Sequence, residues 1–414
     1  MDSGKKQMQT TPKSLRLHIG IFGRRNTGKS SILNALTGQN TSIVSEYAGT
    51  TTDPVEKPME LLPVGPVLFV DTAGIDDVGA LGQKRIEKTK QVIQRTELAI
   101  VVADAGDWGE FEEDIIKEFQ QLKTPMIVVF NKSDLLTPDE NLVKKLKDRK
   151  IEVCVTSAKT KDGLDQLRST IISSVPDDFF ENTSILSDLV GPGKVAVLVV
   201  PIDKEAPKGR LILPQVQSIR DLLDGDSVAV VCKERELKKT LQLLNEPPAL
   251  VVTDSQAFLK VDADTPSEIP MTSFSILFAR YKGDLYEMAK GAVSIESLQA
   301  GDKVMIAESC THHPITDDIG TVKIPRWLRQ YTGKEIKIDH WRGHDFPGNL
   351  SEYKLIIHCG GCMWNRREMI SRIMVAKQAN VAITNYGIAI SYLLGIFPRA
   401  LKPFPEVSDI VNQL

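Results

Sequence analysis

Aromatic residues are sparse, 6% of 414, and no uninterrupted apolar run reaches the 20 or so residues that a membrane span needs. The best such stretch, 379–397, is broken by Asn380, Thr384, Asn385 and Ser391, so it is expected to be a buried helix or a strand–helix pair. Cysteines are few and odd in number, five in all, which argues against a disulfide scaffold. The first 14 residues have no apolar core of the kind a secretory signal carries, and a reducing, cytoplasmic location is expected. An excess of positive charge is also missing: 51 Lys and Arg against 54 Asp and Glu leave −3, so no nucleic-acid partner is expected. With 42% hydrophobic and 25% charged residues, wholesale disorder and collagen-like classes are excluded.

What is present is an alternation. Apolar strand patterns at 17–22, 67–70, 98–103, 126–130 and 152–155 are separated by helical ones, for example 29–36 and 163–175, which is the βαβ signature of a doubly wound, mostly parallel sheet. This first domain is expected over 14–176. After Gly191-Pro192-Gly193 a smaller α/β unit is expected over 185–265, and a third α/β domain over 270–414. No internal repeat is evident.

Gly23-Arg24-Arg25-Asn26-Thr27-Gly28-Lys29-Ser30 matches G-x-x-x-x-G-K-S after a strand and before a helix, the context of a P-loop. Gly23, Asn26, Thr27, Gly28, Lys29, Ser30 and Ser31 would cradle phosphates with backbone N–H groups, Lys29 reaching the β and γ phosphates and Ser30 ligating Mg²⁺. Asp71-Thr72-Ala73-Gly74 places a carboxylate where the metal shell sits. Asn131-Lys132-Ser133-Asp134 selects the base, because Asp134 accepts from guanine N1–H and N2–H, donors that adenine lacks there. Ser157-Ala158-Lys159 adds backbone N–H groups for guanine O6.

Together these motifs resemble the translation-factor-related P-loop GTPases. Ala48-Gly49-Thr50-Thr51-Thr52-Asp53 resembles switch I of the tRNA-modification branch. That resemblance implies Thr51 as a second Mg²⁺ ligand and a K⁺ ion held by Asn26 and Thr50, with Lys29, Asn26 and Thr51 acting on the reacting phosphates. Ile75 stands where Ras-like proteins carry the water-orienting Gln, so hydrolysis should be slow. Relatives place a catalytic Glu in the zone that reads Gly82-Gln83-Lys84 here. Asp76, Asp77 and Glu87 remain unassigned candidates for the base.

All cysteines and histidines except Cys154, Cys232 and His18 fall between 310 and 362. Cys310-Thr311-His312-His313 and His358-Cys359-Gly360-Gly361-Cys362 offer thiolates and imidazoles in a Gly-rich turn after an apolar strand. Structural zinc, a redox pair and an iron–sulfur cluster all fit that donor set. A complete GTPase motif set followed by a small α/β unit and C-x-H…H-C-x-x-C resembles the FeFe-hydrogenase maturation GTPase family, HydF, over essentially the whole chain. The resemblance implies a homodimeric scaffold that binds a 4Fe-4S cluster on Cys310, Cys359 and Cys362, its fourth position open or filled by His312, His358 or Asp188. It also implies a di-iron subcluster precursor as cargo, two radical-SAM maturases as its source and the apo FeFe-hydrogenase as its recipient. The alternative is an RNA-associated GTPase with a zinc-stabilised C-terminal domain. His340 and His344 are either part of a loop lining the cluster pocket or structural.

Overall fold

A computed structural model describes residues 11–37, 54–72, 80–176, 179, 184–201, 211–309, 318–344 and 346–413, the backbone alone for 80–87. The chain divides into two compact units, Met1–Asn182 and Thr183–Leu414. The switch segments Thr50–Asp53 and Gly74–Asp77, together with Cys310, His312 and His313, lie outside the described residues.

The first unit is a six-stranded sheet of order β2-β3-β1-β4-β5-β6. Its strands are β1 (Leu17–Phe22), β2 (Val55–Leu61), β3 (Gly65–Asp71), β4 (Leu98–Asp104), β5 (Met126–Asn131) and β6 (Glu152–Val155). Alternate side chains of β4 enter different cores, Ile100 and Val102 on one face, Ala99, Val101 and Ala103 on the other. Helices cover both faces, so the strands read as continuous apolar runs. The exception is β2, antiparallel to β3 and carrying Pro58; an edge strand tolerates a residue that cannot donate to the ladder. The order reverses at β1, so the loop after β1 opens at the switch point where doubly wound sheets bind ligands.

The second unit holds two four-stranded parallel sheets, β10-β9-β7-β8 and β12-β11-β13-β14. The first contains β7 (Val195–Val199), β8 (Val228–Cys232), β9 (Leu250–Thr253) and β10 (Met271–Ser273). The second contains β11 (Lys303–Glu308), β12 (Lys337–Arg342), β13 (Tyr353–His358) and β14 (Ala382–Asn385). One continuous core runs through both, from Ile185 to Ile410.

Both sheets have the same order, second-first-third-fourth strand, a repeat that sequence inspection does not reveal. Their last strands run into helices through matching segments, Thr272-Ser273-Phe274-Ser275 and Thr384-Asn385-Tyr386-Gly387. Ser273 and Asn385 each cap the helix that follows. The equivalent positions Ser275 and Gly387 meet, Gly387 N–H donating to Ser275 Oγ at 3.1 Å, and a Cβ on Gly387 would stand 2.7 Å from Ser275 Cβ. The stretch around 379–397 is a strand–helix pair, β14 followed by Tyr386–Leu393. No helix among the described residues is long and apolar enough to cross a membrane.

Candidate functional site

Two sites occupy the carboxyl ends of parallel strands, one in each unit. In the first unit the P-loop leaves β1 with Gly23, Asn26 and Gly28 at positive φ. The space is closed to side chains: a Cβ on Gly23 would lie 2.1 Å from the Val102 carbonyl and one on Gly28 2.2 Å from Asn131 Nδ2. Lys29, at the start of helix Lys29–Thr37, is buried and folds back on its own loop, Nζ donating to the carbonyls of Gly23 (2.8 Å) and Arg24 (2.6 Å). Ser30 Oγ donates to Asp71 Oδ2 at 2.7 Å, whereas buried Asp71 Oδ1 has no hydrogen-bond partner among the described residues. Burial raises the Asp71 carboxyl above the ordinary range, against the opposing pull of Ser30, Lys29 and Lys57. A buried carboxylate oxygen without a donor beside a serine hydroxyl fits a divalent cation.

Asn131 joins the motifs. Its Nδ2 donates to the Thr27 carbonyl at 2.9 Å and its Oδ1 accepts from Ala158 N–H at 3.1 Å. Ser157 Oγ donates to Asp134 Oδ1 at 2.7 Å, which fixes the orientation of that carboxylate. Lys132, at φ 61°, pairs with Asp104 at 3.0 Å. Arg24 was not singled out in the motif, yet it ties the P-loop to helix Glu110–Gln121 by a two-pronged bond to fully buried Glu112, 2.9 and 3.0 Å.

In the second unit β11 and β13 are adjacent at the switch point of their sheet. Cys359 leaves β13 with its N–H on the Ala307 carbonyl at 2.8 Å. Its Sγ accepts from Ser309 N–H at 3.2 Å and lies 3.0 Å from Ser309 Oγ. Ser309 immediately precedes Cys310 in the sequence. Gly361 turns the loop at φ 58°. Burial raises the Cys362 thiol first and neighbouring Cys359 adds to it, while Lys282 and the Cys362 and Met363 amides pull the other way. Two thiols at a Gly-rich turn, met by N–H donors, suit a thiolate-ligated metal group. No group of three metal-binding side chains is complete among the described residues.

The remaining candidates occupy several elements. His358 is fully buried, Nδ1 on the Cys359 carbonyl at 2.7 Å and Nε2 facing Arg372 Nη1 at 3.2 Å. Burial, then the Arg372 charge, pull it down to about 3. Arg372 is sandwiched between Phe346 and Trp364, at 4.2 and 4.3 Å from their ring centroids. His344 stacks on Trp364 and contacts the Glu368 carboxylate; His340 is exposed on edge strand β12. Asp188 is held on both oxygens by Arg280; burial opposes this pairing, yet the pairing keeps Asp188 below the usual carboxylate range. Cys154 is buried in β6, while Cys232 is half-buried on edge strand β8, packed against the core.

Sequence reasoning did not single out Lys282 or Glu308. Lys282 is buried at the end of helix Phe274–Lys282, its Nζ on the carbonyls of Trp364 (2.7 Å), Cys362 (2.9 Å) and Gly361 (3.5 Å); burial brings it down to about 8. Glu308, also buried, accepts from Arg342 and Tyr386.

Strand order, P-loop and base-reading loops define the first unit as a P-loop GTPase domain, and residues 18–132 match the family model described as a 50S ribosome-binding GTPase. Residues 185–283 match the hydrogen maturase F dimerization domain and 286–403 the hydrogen maturase F tetramerization domain. The chain belongs to the hydrogen maturase F family. Its GTPase part is 32% identical over 179 residues to the tRNA modification GTPase MnmE of Flavobacterium johnsoniae, covering 41% of this chain and 38% of that one. It is 35% identical over 144 residues to the GTPase Der of Wolinella succinogenes, 34% and 30% of the two chains. The chain therefore spans about a third of the length of the curated relatives it matches. Among solved structures, Era from Aquifex aeolicus bound to GDP and AlF4⁻ aligns with 55% of this chain and 98% of that one, at 23% identity and a TM-score of 0.34.

Proposed function

We propose that the chain is a GTP-hydrolysing scaffold. It holds a 4Fe-4S cluster on Cys310, Cys359 and Cys362, receives the di-iron subcluster precursor from two radical-SAM maturases and delivers it to the apo FeFe-hydrogenase in the cytoplasm. The observation that carries this reading is the Ser309–Cys359 contact at a strand-order switch point inside a hydrogen maturase F domain. Three thiolates leave one cluster iron with an exchangeable position. Asp188 and His358 have their ligating atoms occupied by Arg280, Arg372 and the Cys359 carbonyl, which favours His312 or an incoming ligand there.

The GTPase part acts as a switch. Asp71 Oδ1 and Ser30 support a Mg²⁺ site that Thr51 completes, and Asn26 with Thr50 would hold K⁺ against the phosphates, helping Lys29 offset developing charge. For the RNA-associated alternative, Arg372 is buried, while exposed Arg366 donates to the carbonyls of Tyr281 and Gly283. The test is Cys359→Ala. The variant should lose cluster loading and activation of apo-hydrogenase while turning over GTP within about twofold of wild type, faster in K⁺ than in Na⁺. Undiminished activation by Cys359→Ala contradicts the reading.

A further inference from the structure

Lys282 belongs to the dimerization half of the second unit, yet its ammonium lies against the cysteine turn of the other half. The carbonyls it holds, Gly361 and Cys362, are the far ends of the two peptides whose N–H groups are those of Cys362 and Met363. A trans peptide points its C=O and N–H in opposite directions. Pinning the carbonyls on Lys282 therefore turns both N–H groups to the other side, and both amides favour the Cys362 thiolate. On the other side of the turn, His358 Nδ1 donates to the Cys359 carbonyl, and Arg372 at Nε2 fixes that tautomer.

We propose that Lys282 is a positioning residue for the cluster. By holding the Gly361 and Cys362 carbonyls it aims two backbone N–H groups at the Cys362 thiolate, and it places a buried positive charge behind the turn. N–H donors to ligating sulfurs and nearby positive charge stabilise the reduced, more negative cluster, so the reduction potential depends on Lys282. This is a contact between the two repeats of the unit: a helix of the first sheet sets the electronic properties of the crevice in the second. The inference rests on Cys359 and Cys362 being cluster ligands.

The experiment compares wild type, Lys282→Arg and Lys282→Met after anaerobic reconstitution. Iron and sulfide content, the electron paramagnetic resonance of the reduced state, the midpoint potential and the rate of iron loss to a chelator are the readouts. Lys282→Arg should keep the wild-type potential. Lys282→Met should shift it to more negative values and lose iron several-fold faster; should Met at this buried position prevent recovery, Lys282→Gln, neutral but still a donor, carries the same comparison. A neutral variant with wild-type potential, spectrum and iron-loss rate overturns the proposal. A wild-type protein that takes up no iron fails the cluster reading instead, so the two failures are distinct.

Discussion

We propose that Asp134 decides the base. A carboxylate that Ser157 already orients would present acceptors to two guanine donors, and hydrogen bonds to a charged group contribute about 1.5–3 kcal/mol each. Asp134→Asn replaces one acceptor by a donor, so GTP affinity should fall by at least about 100-fold while xanthine nucleotides, with a carbonyl at C2, gain; a nucleotide titration reads both. Asp71 adds a pH dependence. Burial raises its pKa, so the folded protein binds this proton more tightly than the unfolded chain does. The neutral carboxyl therefore contributes stability that is fully present below the ordinary carboxylate pKa and lost as pH rises through the folded value. Mg²⁺ needs the ionised form. Calorimetry of Mg·GTP binding should show proton release, and weakening on acidification that begins above the usual carboxylate range; pH-independent affinity down to that range contradicts it.

Elements carry the self-association. Strand β8 is the open edge of its sheet, and Val228 and Val231 are 48% and 46% exposed. Val216 and Leu223 on helix Leu213–Asp224 are exposed as well. An apolar edge with unpaired ladder groups is a template for a second copy. Val231→Lys should shift sedimentation toward the monomer without altering GTP binding, whereas an unchanged oligomer would place the contact elsewhere. The buried strands of the first sheet are legible in the sequence because both faces are covered, which leaves uninterrupted apolar runs. Strand β2 is not, since an exposed edge with Pro58 has neither a run nor a clean alternation. The repeat in the second unit is hidden because it is conserved as strand order and capping chemistry, Ser273 against Asn385, rather than as residue identity.

At the scale of the molecule, the P-loop and the cysteine turn occupy separate compact units, and both oligomerisation domains share one core, which flanks the cysteine turn at Ile357 and Trp364. The candidate sites are legible to the extent that they are local. Gly23–Ser30 and Cys359–Cys362 announce themselves by spacing within one turn, while Lys282 acts through main-chain oxygens about 80 residues away and has no motif. Glu308, an acid at the end of an apolar strand, gives only the signal that such strand ends line crevices. The central claim is that three thiolates hold an iron–sulfur cluster, and metal analysis after anaerobic reconstitution tests it most directly. The account predicts a brown protein with iron and sulfide in the proportion of a 4Fe-4S cluster, lost in Cys310→Ala, Cys359→Ala and Cys362→Ala. A colourless wild-type protein holding one zinc per chain, and taking up no iron, would contradict it.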